Sequence, residues 1–452
     1  MLESLPAPHS WYPGHMTRFF RQLPALLSRT NVVLEVRDAR LPLTSINPRL
    51  ESAIQTWRMG RGWSPSDPGT RLFDSVACER IVVFNKRDLV PVWGLAPFRQ
   101  AMDRKFRGQQ NIFASCQRLQ DIRRLHEQLV SIANRYPYAM EMNVLVVGMP
   151  NVGKSTLLNS LRSMGFDGKT PKALRTSANP GLTQALSTRL KLSLSPPVYA
   201  FDSPGVMLPF MGHGTQGAER GVKLALIAGI KEGLYDVEAL ALYLLYKLNK
   251  LNPTNPAYLE LLPPGTLPID ELETFLDILA ERMGMLGKGG VLDRRRAAQH
   301  FVLWWRGEGN LLASSTSFTP KSSSALRIGA PSAPQVGSPG ALTHLSDGAL
   351  IEATTKTRTT GHAPPGWGFD LEWELTPEEM ERGLSPQNMQ LKMEACIDTH
   401  VAQMKEEESS ENNVSVTQRR KQVITERKAK IAAKAKAMTK AIRAAEARRR
   451  QR

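Results

Sequence analysis

Between residues 30 and 210, short runs of hydrophobic residues alternate with longer stretches of helical periodicity. The runs, rich in β-branched residues, are NVVLEV (31–36), RIVVFN (80–85), NVLVVG (143–148) and VYAFD (198–202). Short, continuously apolar runs of this kind are typical of strands buried on both faces of a parallel sheet. We therefore predict an α/β domain over residues 9–212, built on a doubly wound and mostly parallel sheet.

The hydrophobic pattern becomes helical after this region. In one predicted helix, which Asp236 can cap, the apolar positions between Val237 and Leu248 share one face, and a second amphipathic segment covers 292–305. We predict a separate all-α domain over residues 213–312.

Three other stretches are read from their composition. Residues 55–75 contain Gly, Pro and Trp, and we predict an inserted surface loop there. Residues 313–345 are rich in Ser, Pro, Gly and Ala and cannot bury a core, so we predict a linker. Residues 346–417 are expected to form a partly ordered extension. Three of its aromatic residues are expected to dock on the body of the protein: Trp367, Phe369 and Trp373.

The positive charge is concentrated at the C-terminus. The 452-residue chain has a formal net charge of +17, and the segment 418–452 contains fourteen Lys/Arg and two Glu, a net of +12. We predict a disordered basic tail, helical on binding, that attracts a polyanion, RNA above all, by neutralising phosphates and releasing counterions. A solvated tail that only keeps the protein soluble is the alternative.

Cysteine usage and hydropathy bear on the compartment. The three cysteines, Cys78, Cys116 and Cys396, are far apart and odd in number. They argue for a reducing compartment and against both a disulfide framework and a zinc site. No apolar run approaches the length of a membrane span, so we predict no transmembrane segment. The N-terminal residues are poor in acids and contain several arginines, which is compatible with mitochondrial import.

The segment GMPNVGKS (148–155) follows a predicted strand and precedes a predicted helix, the setting that a phosphate-binding loop requires. Gly148 and Gly153 let the backbone N–H groups converge on a phosphate, and the helix N-terminus adds a favourable dipole. Lys154 is expected to reach the β- and γ-phosphates, and the Ser155 hydroxyl to bind Mg²⁺. The predicted nucleotide contacts in this loop are Asn151, Val152, Gly153, Lys154, Ser155 and Thr156.

The segment NKRD (85–88) follows its own apolar run. Asp88 can accept hydrogen bonds from the guanine N1 and N2 groups, while the stem of Lys86 packs on the ring and Asn85 ties the segment to the phosphate loop. Buried polar acceptors of this kind discriminate strongly between bases. Ser115 occupies the expected place of a second guanine-contacting loop, although an ordinary turn is the alternative.

The segment DSPG (202–205) predicts the phosphate-sensing part of the site. Asp202 is the natural second Mg²⁺ anchor, and the Gly205 N–H can contact the γ-phosphate. Thr183, at the end of NPGLT, fits a threonine that closes over Mg²⁺, with an ordinary loop residue as the alternative. Val206 stands where many small GTPases place a glutamine that orients water, and a valine cannot do so. We therefore expect slow intrinsic hydrolysis.

The order of these motifs is inverted, because NKRD precedes the phosphate loop. In an ordinary GTPase the phosphate loop opens the domain and the base-reading motif comes near its end. The order predicts a GTP-binding domain that is circularly permuted.

In this order the motifs resemble the YlqF/RbgA family of circularly permuted GTPases, which act in assembly of the large ribosomal subunit. WYPGHM (11–16) resembles the WFPGHM signature of that family, and VVLEVRDARLPLTSINP (32–48) resembles its first strand and following loop. The helical region, with IAGIKEG (227–233) and GKGGVLD (287–293), resembles its C-terminal helical domain. The likeness covers residues 9–310. The chain departs from the family at residues 202–205, where it has DSPG and the family more commonly has DTPG. The linker and tail make the chain look more like the mitochondrial members than the shorter bacterial ones.

The resemblance implies further site residues. His15 matches a histidine proposed to take part in hydrolysis in place of the missing glutamine; docking of the N-terminal helix by the PGHM turn is the alternative. Asn151 matches an asparagine linked to K⁺ coordination. Contact with rRNA through the helical domain is also implied. The candidates are Arg294, Arg295 and Arg296, for which a solvated helical face is the alternative.

We expect a GTPase that binds GTP, GDP, Mg²⁺ and K⁺, with catalytic roles for His15, Lys154 and Thr183. The expected partners are the large ribosomal subunit and its rRNA, with peripheral association with the matrix face of the mitochondrial inner membrane. We expect a monomer in the mitochondrial matrix. The alternatives are a cytosolic, nucleolar or plastid assembly GTPase of the same type, and a GTP-sensing RNA-binding module with incidental hydrolysis.

Overall fold

A computed structural model describes most of the chain up to residue 307 and a C-terminal segment. The described residues are 5–8, 11–68, 76–166, 172–174, 181, 183, 186–187, 189–208, 210–307, 365–409, 424, 427 and 431. The predicted linker and almost all of the predicted basic tail lie outside them.

A six-stranded sheet forms the centre of the N-terminal body. Its strands are β1 (Val32–Asp38), β2 (Glu79–Asn85), β3 (Gln110–Phe113), β4 (Met142–Gly148), β5 (Leu190–Ser193) and β6 (Val198–Asp202). Their spatial order is β3-β2-β1-β4-β6-β5, and all neighbours are parallel except β5, which is antiparallel to β6. All four predicted apolar runs form strands, so the mostly parallel sheet is confirmed.

Helices cover both faces of this sheet. They are α1 (Gly14–Leu27), α2 (Pro48–Met59), α3 (Leu95–Lys105), α4 (Leu119–Arg135) and α5 (Lys154–Met164). Val33 of β1 packs in one buried cluster with Phe19 of α1 and Leu50 of α2. Its neighbours Val32 and Leu34 belong to the other cluster, with residues of α3, α4 and α5. Since side chains alternate across a strand, β1 contributes to two cores, as a doubly wound fold requires.

The strand order brings together the loops that carry the predicted nucleotide-binding motifs. From β1 the chain winds outward through β2 to β3 and then returns to β4, which pairs with the other side of β1. This reversal is a topological switch point, where open α/β sheets bind ligands beyond the carboxyl ends of their strands. The loops that follow β1, β2, β4 and β6 all begin at that edge.

A helical domain follows. Its helices are α6 (Gly214–Leu226), α7 (Val237–Leu251), α8 (Leu272–Arg282) and α9 (Arg294–Gly307). Both predicted helices are confirmed, although the Asp236 side chain makes no capping hydrogen bond at the start of α7. Tyr258, Phe275 and Phe301 pack edge-on or tilted in its core, with 4.6 Å between the ring centroids of the two phenylalanines.

The C-terminal segment folds back on the body. It comprises β7 (Gly366–Trp367), β8 (Leu371–Glu372), α10 (Pro377–Arg382) and α11 (Pro386–Ser409), with β7 and β8 paired as a hairpin. Lys105 of α3 pairs with Asp398 of α11 at 2.6 Å. Trp367 and Phe369 are fully buried and Trp373 partly so, and the predicted docking is therefore confirmed.

The predicted surface loop over 55–75 is wrong in its first part. Helix α2 continues to Met59, and both Trp57 and Trp63 are only 8% exposed. The guanidinium of Arg58 lies 4.1 Å from the Trp63 ring centroid, and its Nε donates to the Cys78 carbonyl. Both tryptophans belong to the buried cluster that α1, α2 and β1 form, a long-range contact that local composition does not indicate. Residues 69–75 lie outside the described part. None of the helices seen in the described ranges has both the length and the apolar character needed to cross a membrane.

Candidate nucleotide-binding site

At two positions, the end of β4 and the loop that follows it have a backbone conformation that only glycine adopts readily. Gly148 has φ +145°, and a Cβ there would lie 2.2 Å from the Val36 carbonyl oxygen. Gly153 has φ +97°, and a Cβ there would lie 2.4 Å from Nδ2 of Asn85. The close Val36 backbone at Gly148 and the left-handed backbone at Gly153 thus fix the curl of the predicted phosphate loop.

Lys154 is the first residue of α5 and is buried. Its Nζ donates to the carbonyls of Gly148 at 3.2 Å and Met149 at 2.8 Å, which folds the side chain back over the loop. Burial lowers the pKa of Lys154 to about 8, against the opposing charge of Asp202. A desolvated ammonium at a helix N-terminus is well suited to bind a phosphate.

Ser155 and Asp202 form the predicted metal position. The Ser155 hydroxyl donates to Oδ2 of Asp202 at 2.6 Å, and Asp202 is fully buried. Its other oxygen, Oδ1, is buried and has no hydrogen-bond partner within the described structure. Burial raises the pKa of Asp202, an effect that Lys154 opposes. A buried carboxylate oxygen without a partner, beside a hydroxyl, fits the oxygen ligands that Mg²⁺ prefers.

The loops after β2 and β4 are in direct contact. Asn85 donates from Nδ2 to the Val152 carbonyl at 2.8 Å, so the expected tie is present. Lys86 adopts a left-handed conformation with φ 62°, and its Nζ donates to the Asn151 carbonyl and to Oδ2 of Asp38, each at 3.0 Å. The two predicted halves of the site therefore form one continuous surface.

Asp88 lies in a short 3₁₀ turn, Arg87–Leu89, directly after the strand end. Its Oδ1 is buried and, among the residues that the structure describes, has no hydrogen-bond partner. Because buried polar atoms are nearly always paired, this oxygen marks an acceptor available to a ligand.

The loop after β3 lies beside NKRD. Ser115 donates its N–H to Asp121, whose carboxylate also binds the guanidinium of Arg87 through two contacts of 2.6 Å. The Cys116 thiol donates to Oδ1 of Asn85 at 3.5 Å, and burial raises the pKa of Cys116 to about 11. The expected neighbourhood of Ser115 is thus present, while its contact with a base stays a prediction.

Sequence reasoning missed Asp38, at the carboxyl end of β1. Asp38 is fully buried and accepts hydrogen bonds from the backbone and side chain of Arg40 and from Lys86. Burial by itself would raise the pKa of Asp38, but Arg40 and Lys86 hold it well below its usual range. A charged residue that ends a buried strand at the switch-point edge was the available signal.

The DSPG segment lies on the phosphate loop. A Cβ on Gly205 would lie 2.7 Å from the Pro150 backbone, so only glycine allows this approach. Val206 donates its N–H to the Gly148 carbonyl at 3.1 Å, and its side chain is buried in the same cluster as Phe19 of α1. The valine therefore fixes the segment to the N-terminal helix.

His15 lies next to Gly181. A Cβ built on this glycine would be 3.9 Å from Cε1 of the histidine. Its Nε2 is buried and lacks a partner within the described ranges, and burial lowers the pKa of His15. Thr183 is half-buried and makes no hydrogen bond to Ser155 or Asp202 among the described residues. The structure thus brings His15 to the segment that carries Thr183 but does not join Thr183 to the metal position.

Two other implied roles remain predictions. Asn151 has φ 57° and donates from Nδ2 to the Ala228 carbonyl of the helical domain at 2.7 Å. Arg294 pairs with Glu273 and Asp277, each at 2.6 Å. Its neighbours Arg295 and Arg296 are exposed on the same helix.

Comparison with known proteins gives consistent matches. A family described as "50S ribosome-binding GTPase" matches residues 143–256. The mouse "Mitochondrial ribosome-associated GTPase 1" is 32% identical over 241 residues, which are 52% of this chain and 65% of the relative. "Mitochondrial GTPase 1" of Schizosaccharomyces pombe is 30% identical over 289 residues, 63% of this chain and 82% of the relative. A solved structure of GNP-bound YlqF from T. maritima is 22% identical and covers 63% of this chain and 92% of that one, with a TM-score of 0.39.

Proposed function

This chain belongs to the family of GTPases that includes mitochondrial GTPase 1, and on that premise we propose that it assists assembly of the large subunit of the mitochondrial ribosome. The names of its relatives support the ribosome and the mitochondrion as its site of action. The charge of the tail and the exposed Arg295 and Arg296 support rRNA as the surface that it recognises. The same basic tail supports peripheral association with the anionic matrix face of the inner membrane. We further propose that the protein acts as a monomer.

The observation that carries the nucleotide dependence of this proposal is the hydrogen bond from Asn151 to Ala228. Asn151 belongs to the phosphate loop, and Ala228 lies between α6 and α7 in the helical domain. Ala228 has φ 57°, a conformation that is costly for a residue with a Cβ and persists only when its surroundings hold it. A change at the phosphates can therefore reach the helical domain through one contact.

In the proposed mechanism Asp88, Lys86 and Ser115 read guanine, and the loop from Asn151 to Thr156 binds the phosphates. Mg²⁺, when bound, neutralises phosphate charge; Ser155 and Asp202 would hold it, with Thr183 closing over it in the GTP state. The Gly205 N–H would sense the γ-phosphate.

Hydrolysis lacks a glutamine, because Val206 is apolar and buried. We assign the positioning of water to His15, whose Nε2 has no partner in the described structure and which lies beside the Thr183 segment. A K⁺ ion at Asn151 would add positive charge, and comparing turnover in K⁺ and Na⁺ tests that assignment.

The test is co-sedimentation of the full-length protein with fractionated mitochondrial and cytosolic ribosomal particles, in GDP or in a non-hydrolysable GTP analogue. We expect binding to mitochondrial large-subunit particles that is stronger with the analogue. Binding confined to cytosolic particles, or equal binding with both nucleotides, contradicts the proposal. Lys154→Ala separates a GTPase from an RNA-binding module, because only the module keeps assembly activity without GTP turnover.

A further inference from the structure

The C-terminal hairpin touches the back of the base-reading loop. Trp367, at the end of β7, is fully buried, and its indole Nε1 donates to the Pro91 carbonyl at 3.0 Å. Pro91 comes three residues after Asp88, just beyond the 3₁₀ turn that carries the acceptor oxygen. The indole thus holds the C-terminal end of the NKRD loop. The N-terminal end of that loop is held by the hydrogen bond from Asn85 to the phosphate loop.

The same indole supports the second predicted guanine loop. Its ring stacks on Phe98 with 5.1 Å between centroids and meets Phe113 edge-on at 6.1 Å. Phe113 ends β3, two residues before Ser115. Gly94 lies flat against the indole, because a Cβ there would be 2.1 Å from Nε1.

The turn of the hairpin holds the loop after β1. Phe369 donates its N–H to the Arg40 carbonyl at 3.0 Å. The Asp370 carboxylate accepts from both the backbone N–H and the hydroxyl of Thr44, at 2.7 and 2.6 Å. Arg40 in turn binds Asp38, which binds Lys86. The four consecutive residues 367–370 therefore reach the loops after β1 and β2 and the end of β3, which leads into the Ser115 loop.

We propose that the hairpin 366–372 is a positioning element for guanine recognition, with Trp367 as its principal residue. The proposal rests on the proposed function in taking Asp88 as the guanine acceptor. Two hydrogen bonds from a base to one carboxylate need placement within a few tenths of an ångström, and the loop that carries Asp88 has the indole on its outer side. The hairpin comes from a segment beyond residue 310, where the likeness to the permuted GTPases ends.

The test compares full-length wild type with Trp367→Ala, Trp367→Phe and Trp304→Ala. Trp304 is a matched control, because it is also buried and donates from Nε1 to Glu260 at 3.1 Å, but lies in the helical domain. Each protein is measured for its melting temperature and for its Kd with GDP and with IDP. IDP lacks the guanine N2 amine, so the ratio of the two Kd values reports the bond between Asp88 and N2.

We expect wild type to favour GDP over IDP by about tenfold or more. Trp367→Ala should lower this ratio at least threefold, Trp367→Phe should lower it less, and Trp304→Ala should leave it unchanged even where its melting temperature falls. If Trp367→Ala does not fold, Trp367→Phe decides, since it keeps an aromatic ring on Phe98 while it loses the indole N–H and part of the ring. An unchanged ratio in a folded Trp367 variant overturns the positioning role.

A further variant, Asp88→Asn, separates this inference from the proposed function. If wild type shows no preference for GDP over IDP, or Asp88→Asn keeps that preference, the guanine assignment itself fails and the positioning role fails with it. If Asp88→Asn loses the preference while folded Trp367 variants keep it, only the positioning role is overturned.

Discussion

The Asn85 side chain donates a hydrogen bond of 2.8 Å from Nδ2 to the backbone carbonyl of Val152, across 67 positions of sequence. Asn85 ends β2, and Val152 lies in the loop after β4. The bond closes the nucleotide site in a chain where the base-reading motif comes first. Circular permutation thus keeps the contact between the two motifs while inverting their order along the chain.

Replacing Asn85 with Ala should weaken nucleotide binding without unfolding the protein. Loss of a buried hydrogen bond that joins two loops costs about 1–2 kcal/mol, or about 5–30-fold in the Kd for GDP. Isothermal titration calorimetry measures it. Asn249→Ala is a matched control, since Asn249 donates to the Ile269 carbonyl at 2.8 Å in the helical domain. Equal loss of affinity in both variants would contradict a specific role for Asn85.

The Ser155–Asp202 pair predicts how Mg²⁺ affects nucleotide release. In wild type, chelation of Mg²⁺ should speed release of a fluorescent GDP analogue by about tenfold or more, because the phosphates lose a neutralising charge. Ser155→Ala should release quickly whether or not Mg²⁺ is present. The control is Ser203→Ala, whose hydroxyl reaches only the Pro204 carbonyl among the described hydrogen bonds. Full Mg²⁺ dependence in Ser155→Ala would exclude the assigned metal position.

Lys154 predicts a pH dependence of GDP affinity. Burial lowers the pKa of Lys154 to about 8, and bound phosphates should raise it again by favouring the charged form. Binding therefore takes up a proton above pH 8, so affinity is full below that value and falls as pH rises, by up to about tenfold per unit. Guanine also loses a proton at alkaline pH, and this by itself changes the affinity for GDP. Lys154→Met keeps that effect and lacks the ammonium group, so it serves as the reference. Parallel pH profiles for the two proteins would refute the prediction.

His15→Ala should separate hydrolysis from binding. If His15 positions water, ribosome-stimulated turnover should fall by about a hundredfold while the Kd for GDP changes less than about twofold. His300→Ala, on α9, is the control for a histidine away from the site. Unchanged stimulation would leave His15 with only the docking role of the PGHM turn.

The predictable part of the fold is the part that local pattern encodes. The runs that became β1, β2, β4 and β6 are buried on both faces, so their composition is continuously apolar and β-branched. The short edge strand β5 carries no such signal, because it is only four residues long and its two leucines alternate with Lys191 and Ser193.

The part of the site that a short contiguous motif forms was predictable from the sequence. Gly148 and Gly153 are needed for the curl of one loop, and Lys154 begins the next helix. Asp38 was missed although it carried a signal, a charged residue at the end of a buried strand, whereas the contact of Trp367 beside the site was not predictable, because its partner is distant in sequence. The Trp367–Pro91 bond spans 276 positions, and nothing near either residue indicates the other.

The most direct test of the account is the rate of GTP hydrolysis by the full-length protein, alone and with purified mitochondrial large subunits, at equal GTP and Mg²⁺. We predict slow turnover by the isolated protein, since Val206 cannot orient water, and an increase of at least about tenfold on adding the subunits. Equal rates with and without the subunits, or stimulation by cytosolic subunits alone, would contradict the account.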